Sequence, residues 1–166
     1  MLKALSIPLL VLLAVALAGC GTYRPLYGTA SGGGNVATTL AAMSVQEQHD
    51  RAGQLVRNEL LDGANTGRQR YDLKLAVREG VIGVTTFSSG NLARQRYNLQ
   101  GHYELVDTQS SKVITSGDTF SNVEFNTLKI PVADLQAADN ARTRAAKELG
   151  QDIRLRLAAY LSAHQG

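Results

Sequence analysis

The sequence predicts an α+β fold: a two-layer sandwich with two amphipathic helices packed on one face of a mainly antiparallel, four-stranded sheet. Two patterns carry this reading. Stretches 71–79 and 94–106 alternate apolar and polar residues with period two, as strands with one buried and one wet face do, and 112–122 reads as a third long strand. Two other stretches, one starting between Ser44 and Asp50 and one at Pro131, repeat apolar residues every three or four positions, the spacing of a helix with one buried stripe. Helices and strands that each own a single apolar face bury it most simply against one another.

The chain opens with a basic Lys3, an apolar run from Leu5 to Ala18, and Leu17-Ala18-Gly19-Cys20. This is the layout of a secretory signal peptide, and its end matches a lipobox. A membrane span needs roughly 20 apolar residues, and this run is shorter. The lipobox reading makes residues 1–19 a removed leader and Cys20 the site of lipid attachment. The protein is then expected outside the cytoplasm, held on a bacterial membrane through its N-terminal lipid. Gly21 after the cysteine, rather than aspartate, fits passage to the outer membrane.

Residues 20–36 read as a lipidated flexible tether and 37–166 as one α+β domain, of a size that buries a real core. The tether is glycine-rich and closes on Gly32-Gly33-Gly34; as a coil of this composition it spans roughly 20 Å. Tyr23, Pro25, Leu26 and Tyr27 follow the lipid directly, where tyrosine suits a membrane interface or a partner groove. Thr38 to Val45 reads as a short first strand with Leu40, Ala42 and Ser44 on one side. Ser44-Val45-Gln46-Glu47 fits a capping box and Asp50 is a second possible N-cap. The helix stripe behind them is Ala52, Leu55, Val56 and Leu60, with Gly63 as the stop.

Tyr71, Leu73, Leu75 and Val77 share the inner face of the first long strand, and Asp72, Lys74 and Arg78 the outer. Val81, Ile82 and Val84 extend that strand toward a loop at Ser88 to Asn91. In the second, Tyr97, Leu99, Gly101, Tyr103 and Leu105 point inward, and Arg96, Asn98, Gln100, His102 and Glu104 outward. A polar turn, Asp107 to Ser111, joins it to Lys112–Asn122, most simply as a hairpin. Gly117 there marks a bulge or a close backbone approach. In the last helix Ala141, Ala145, Leu149, Ile153, Leu157 and Tyr160 form one seam, and Gly150 weakens its middle by about 1 kcal/mol relative to alanine.

Composition removes several functions. There are 17 Lys+Arg against 14 Asp+Glu, a formal charge of +3. That is too small for a general polyanion binder, and an extracytoplasmic place argues against nucleic acid. Cys20 is the sole cysteine, so once it is lipidated no thiol remains for a disulfide, a nucleophile or a zinc site. Low aromatic content and the lack of tryptophan argue weakly against a sugar-stacking platform. His49, His102 and His164 fall in no metal spacing, and neither a nucleophile elbow nor a phosphate-binding glycine loop is present. The expectation is no enzyme, no metal and no cofactor. His102, among Asn, Gln and Glu, reads as a solvated strand residue. Basic residues are the remaining candidates. If the first two long strands are neighbours, Lys74, Arg78, Arg94 and Arg96 share one wet face and could pair with phosphates; the ordinary alternative is a solvated face with Asp72, Glu79 and Glu104 nearby.

Several segments resemble the LPS-assembly lipoprotein (LptE) family in its alphaproteobacterial form. They are Cys20-Gly21-Thr22-Tyr23-Arg24-Pro25-Leu26-Tyr27-Gly28 after the lipobox, Gln54-Leu55-Val56-Arg57-Asn58-Glu59-Leu60 in the first helix, Tyr97-x-Leu99 with Tyr103-x-Leu105-x-Asp107 in a strand, and Arg144-Ala145-Ala146-x-x-Leu149 in the last helix. The resemblance implies two helices on a four-stranded sheet and a non-enzymatic role. Members of the family plug the LptD outer-membrane β-barrel, assist its assembly and contact lipopolysaccharide on its way to the surface. It further implies two basic lipid-contacting positions. One corresponds to Lys129, before the last helix. At the other this sequence has Gly90-Asn91, with Arg94 and Arg96 the nearest bases. Two alternatives stay open from the residues: an adaptor or accessory subunit of another envelope complex, and a lipid-tethered module for a small ligand.

Overall fold

The computed structural model describes residues 33–62, 69–86, 93–128 and 130–164. Cys20, the leader, most of the tether, Gly63 and the loop at 88–91 lie outside the described residues. The elements run α1 (Gly33–Ala41), β1 (Met43–Val45), α2 (Arg51–Leu61), β2 (Tyr71–Thr86), β3 (Ala93–Asp107), β4 (Val113–Thr127) and α3 (Pro131–His164). The four strands lie in the order β1-β2-β3-β4. β1 is parallel to β2, and the other two pairings are antiparallel. A parallel pair cannot be joined by a tight turn, so α2 serves as the crossover between β1 and β2. The result is the expected sandwich.

The front of the domain differs from the sequence reading. Residues 33–41 form a helix where a tether end and a strand were expected, and the predicted boundary at 36/37 falls inside it. The strand shrinks to three residues, with Met43 and Val45 buried rather than Leu40, Ala42 and Ser44 defining its side. The cause is tertiary. Val36 is 2% exposed and Leu40 packs on the same core; a spacing of four puts both on one helix face, and that burial outweighs the strand preference of Thr38 and Thr39.

Asp50 caps α2, its carboxylate accepting from the Gly53 amide at 2.8 Å. Ala52, Val56 and Leu60 are then buried against α3 and the sheet. At the other end the Arg154 guanidinium donates to the carbonyls of Glu59 (2.7 Å), Leu60 (3.0 Å) and Asp62. Those are carbonyls without partners inside the helix. α2 and α3 pack tightly at Gly150, where an added Cβ would lie 2.8 Å from Glu59 Cγ and 2.9 Å from its Cβ.

The inner face of the sheet follows the alternation: Leu73, Leu75, Tyr97, Leu99, Tyr103 and Leu105 are buried under Ala141, Ala145, Leu149, Ile153 and Leu157. β4 runs five residues past its expected end, to Thr127. Gly117 is a close approach and not a bulge. It pairs with Tyr103, whose hydroxyl would be 2.7 Å from an added Cβ; the register shifts lie elsewhere, at Gly83/Thr85 and Leu105/Val106. β4 also carries buried polar residues inward. Ser121 donates to Glu148 at 2.6 Å and Thr119 to Asp152, which holds Arg156 at 2.7 Å. The exposed Glu148 and half-buried Asp152 carboxylates thus give the buried hydroxyls of Ser121 and Thr119 their partners.

Candidate functional site

With all described helices on one side, no described residue covers the other face of the sheet, and its rows are set by strand register. From β2 across β3 to β4 they read Lys74–Glu104–Ser116, Ala76–His102–Asp118, Arg78–Gln100–Phe120, Gly80–Asn98–Asn122 and Ile82–Arg96–Glu124. Arg94 lies one step further along β3, opposite Asn126. Lys74, Arg78, Arg94 and Arg96 therefore do share one face. They do not form one cluster: Arg78 and the Arg96 row are four residues apart along β2, about 13 Å at strand rise.

Electrostatics divides these four further. Arg96 donates to Glu124 at 2.8 Å, and Arg94 approaches the same carboxylate at 3.9 Å. Chiefly through the Arg96 bond, Glu124 is held below its ordinary pKa. Both arginines thus have a resident anion. Lys74 and Arg78 are exposed and have no hydrogen-bond or ion-pair partner among the described residues. Lys129 lies outside the described residues, as does Cys20.

His102 is more than a solvated strand residue. Its Nδ1 sits 2.8 Å from Asp118 across the strand pair, and its Nε2 sits 3.6 Å from Glu104. The bond to Asp118 raises its pKa above the ordinary value, with Glu104 adding to the effect. Asn98 and Asn122 are bonded at 2.6 Å in the row between. Sequence order hid these pairs, because β4's register is visible only once the hairpin is formed. Counting back from the turn, where Asp107 bonds Lys112, sets His102 opposite Gly117; the one-residue shift between Leu105 and Val106 is what aligns it with Asp118.

A hollow of about 490 Å³ opens in the middle of this face, lined by Ala76, Arg78, Gln100, His102, Asp118 and Phe120. It exists because Ala76 is short between the longer Lys74 and Arg78. Phe120 is 66% exposed, turned outward by the register of β4 against β3. On the helix side, at the edge, Tyr97 donates to Glu79 while Arg142 bonds Glu79 and the Tyr97 oxygen, each at 3.2 Å. Burial, then the Glu79 contact, pushes Tyr97 up to about 12. This triad ties α3 to β2 and leaves no group poised to react. No group of three or more His, Cys, Asp or Glu is placed to hold a metal among the described residues, and no described helix is long and apolar enough to cross a membrane.

Several solved structures share the fold. The chain is similar to a protein of Caulobacter crescentus CB15 assigned as a lipoprotein, at 25% identity over 78% of this chain and 97% of that one, with a TM-score of 0.63. A minor lipoprotein from Acinetobacter baumannii matches at 14% identity over 70% and 88%, TM-score 0.53. Rare lipoprotein B from Shewanella oneidensis matches at 13% identity over 75% and 97%, TM-score 0.51. At those last two identities the likeness is one of fold. No protein-family model matches the sequence, and neither does any curated protein.

Proposed function

We propose that this chain is a lipid-anchored envelope protein that works by holding a partner, and that the partner is an LptD-type outer-membrane β-barrel. In this reading residues 1–19 are removed, Cys20 carries the lipid, and the tether lets the folded domain reach the barrel lumen from the periplasmic side. The domain assists barrel assembly and takes part in passing lipopolysaccharide outward. Support comes from three directions: the lipobox and the segments resembling the LptE family, a fold shared with lipoproteins including rare lipoprotein B, and the uncovered sheet face. The last is the observation that carries it. A strand layer with its described helices on one side only, and on the other two cations without partners among the described residues, is built to be covered by something anionic or by a partner wall.

Among the basic residues, Lys74 and Arg78 are the foremost candidates for lipopolysaccharide contact, because their charges are free; Arg94 and Arg96 would first have to give up Glu124. Lys129 stays a candidate through the resemblance alone. Affinity capture of the full-length lipidated protein from solubilised outer membranes tests the assignment. The LptD barrel should come down in roughly equal amount. Recovery of a different complex, or of none, would overturn it.

A further inference from the structure

β1 pairs with only three of the 16 residues of β2, Tyr71 to Leu73. Beyond them β2 is an edge of the sheet. Its side away from β3 is served a little further by the chain that follows β1: the Gln46 amide donates to the Leu73 carbonyl at 2.9 Å, and the Gln48 side-chain amide to the Leu75 carbonyl at 2.9 Å. In an antiparallel ladder alternate residues turn their backbone groups to opposite neighbours. The amides and carbonyls of Val77, Glu79 and Val81 therefore point the same way as those of Leu73 and Leu75, and they have no partner among the described residues. The regular stretch ends at the register shift between Gly83 and Thr85, which leaves residues 76–82, roughly 20 Å of strand, with an open side. No proline interrupts it. β-Branched side chains stand free on both of its faces, Val81 at 52% and Ile82 at 57% exposure. An edge of this length and composition is a template for one more strand.

We infer that this edge docks an extended, acidic segment of a partner protein, which lies beside β2 in line with β1 and adds a strand to the sheet. Hydrogen bonds to the backbone of Val77, Glu79 and Val81 hold it, and the side chains of β2 select what is held. On the helix side the incoming strand meets Val77 and Val81, so its residues there are apolar. Glu79 stands between those two, but its carboxylate is already engaged by Tyr97 and, at 3.2 Å, by Arg142. On the opposite side the strand meets Lys74, Ala76 and Arg78. Lys74 and Arg78 have no partner among the described residues, and acidic residues at alternate positions of the strand pair with them across the edge. An anion that lipopolysaccharide brings to these two cations would compete with the strand for them. The same charges disfavour a second copy of this chain as the occupant. Past Asp72, which Ser44 engages at 2.8 Å, that row of β2 holds Lys74, Ala76, Arg78, Gly80 and Ile82. Two copies set edge to edge would face cations with cations.

This deepens the function proposed above and rests on it only for which protein supplies the strand. The test is amide hydrogen exchange, read by NMR on the full-length lipidated protein in detergent, with a synthetic peptide of alternating valine and glutamate as the probe. The probe should bind saturably and slow exchange at Val77, Glu79 and Val81. Arg78 and Gly80, whose amides already face β3, should not change. The same peptide with lysine for glutamate, or with N-methyl groups on the amides that face β2, should bind about tenfold or more weakly, having lost its ion pairs or its hydrogen bonds. Val81→Pro removes an edge donor and leaves the β3 ladder intact, as proline does at the outer side of an edge strand. It should weaken the probe about tenfold or more, with the thermal midpoint near that of the parent. Lys74→Glu with Arg78→Glu should turn the preference from the glutamate peptide to the lysine one. The inference is overturned by an absence of saturable binding, by equal binding of the N-methylated peptide, or by binding that leaves those three amides unprotected. Protection that needs no peptide and grows with protein concentration overturns it too, and makes a second copy the occupant. Barrel capture separates the two readings. Probe binding without any barrel capture removes the barrel and keeps the edge; barrel capture without probe binding does the reverse.

Discussion

Gly150→Ala sets two physical effects of opposite sign against each other. In the middle of a 34-residue helix, replacing glycine with alanine should stabilise by about 1 kcal/mol, because alanine loses less backbone freedom on folding. The packing says otherwise. The new methyl would sit 2.8 Å from Glu59 Cγ, 2.9 Å from Glu59 Cβ and 3.5 Å from the Val56 carbonyl oxygen. Glu59 Cγ can rotate away, but its Cβ is fixed to the α2 backbone, so relief requires the two helices to part. Overpacking of this kind typically costs about 1–3 kcal/mol. It also shifts Arg154 away from the carbonyls it holds. The net expectation is a loss of about 0–2 kcal/mol after the propensity gain is subtracted. Urea unfolding of the full-length protein, with the midpoint and slope compared to the parent, reads this directly. Glu59→Gly in the Gly150→Ala background should recover part of the loss, since it removes both crowding atoms. A Gly150→Ala variant more stable than the parent by the full propensity gain of about 1 kcal/mol would refute the close helix contact.

Other outcomes follow from the same geometry. Arg154→Ala leaves the carbonyls of Glu59, Leu60 and Asp62 without their charged donor; a loss of about 1.5–3 kcal/mol is expected, with hydrogen exchange rising first in the last turn of α2. His102 carries a raised pKa through Asp118 and Glu104. A group that holds its proton more tightly when folded adds stability fully below its unfolded pKa, about 6.5, and loses it as pH rises through the folded value. The thermal midpoint of the parent should therefore exceed that of His102→Asn by more at pH 5 than at pH 8; an equal gap at both would show that the pair is unimportant. Glu124 and Asp139, whose pKa values are lowered by Arg96 and Arg51 respectively, contribute in the opposite sense, above their unfolded pKa. Charge reversal of Lys74 and Arg78 together should weaken binding to lipopolysaccharide vesicles while leaving the thermal midpoint within a degree or so, as exposed substitutions do.

The sheet was legible because its signal is local. Period-two alternation places Leu73, Leu99 and Leu105 inward whatever the neighbouring strands are, and the structure buries all three. The long helix was legible for the same reason, from its seam of Ala141 to Leu157. What misled was a segment whose local preference and tertiary contacts disagree. Thr38 and Thr39 favour a strand, yet Val36 and Leu40 bury themselves only if residues 33–41 are helical. Gly150 is a second instance: by propensity a weak point, in the fold the place where α2 and α3 touch. The site was legible in part. Alternation put Lys74, Arg78, Arg94 and Arg96 outward on one face. Which of them are free depended on Glu124, which belongs to a strand 28 residues further on than Arg96.

By itself, then, the sequence determined the types of α2, α3 and the three long strands and the inward and outward faces of β2 and β3, since each depends on residues within a few positions of one another. Tertiary structure decided how those faces are used. Strand register is a relation between distant segments, and it alone aligned Arg78, Gln100 and Phe120 in one row and paired His102 with Asp118. Packing the described helices on a single side left that row open among the described residues, and the shortness of Ala76 made the hollow beside it.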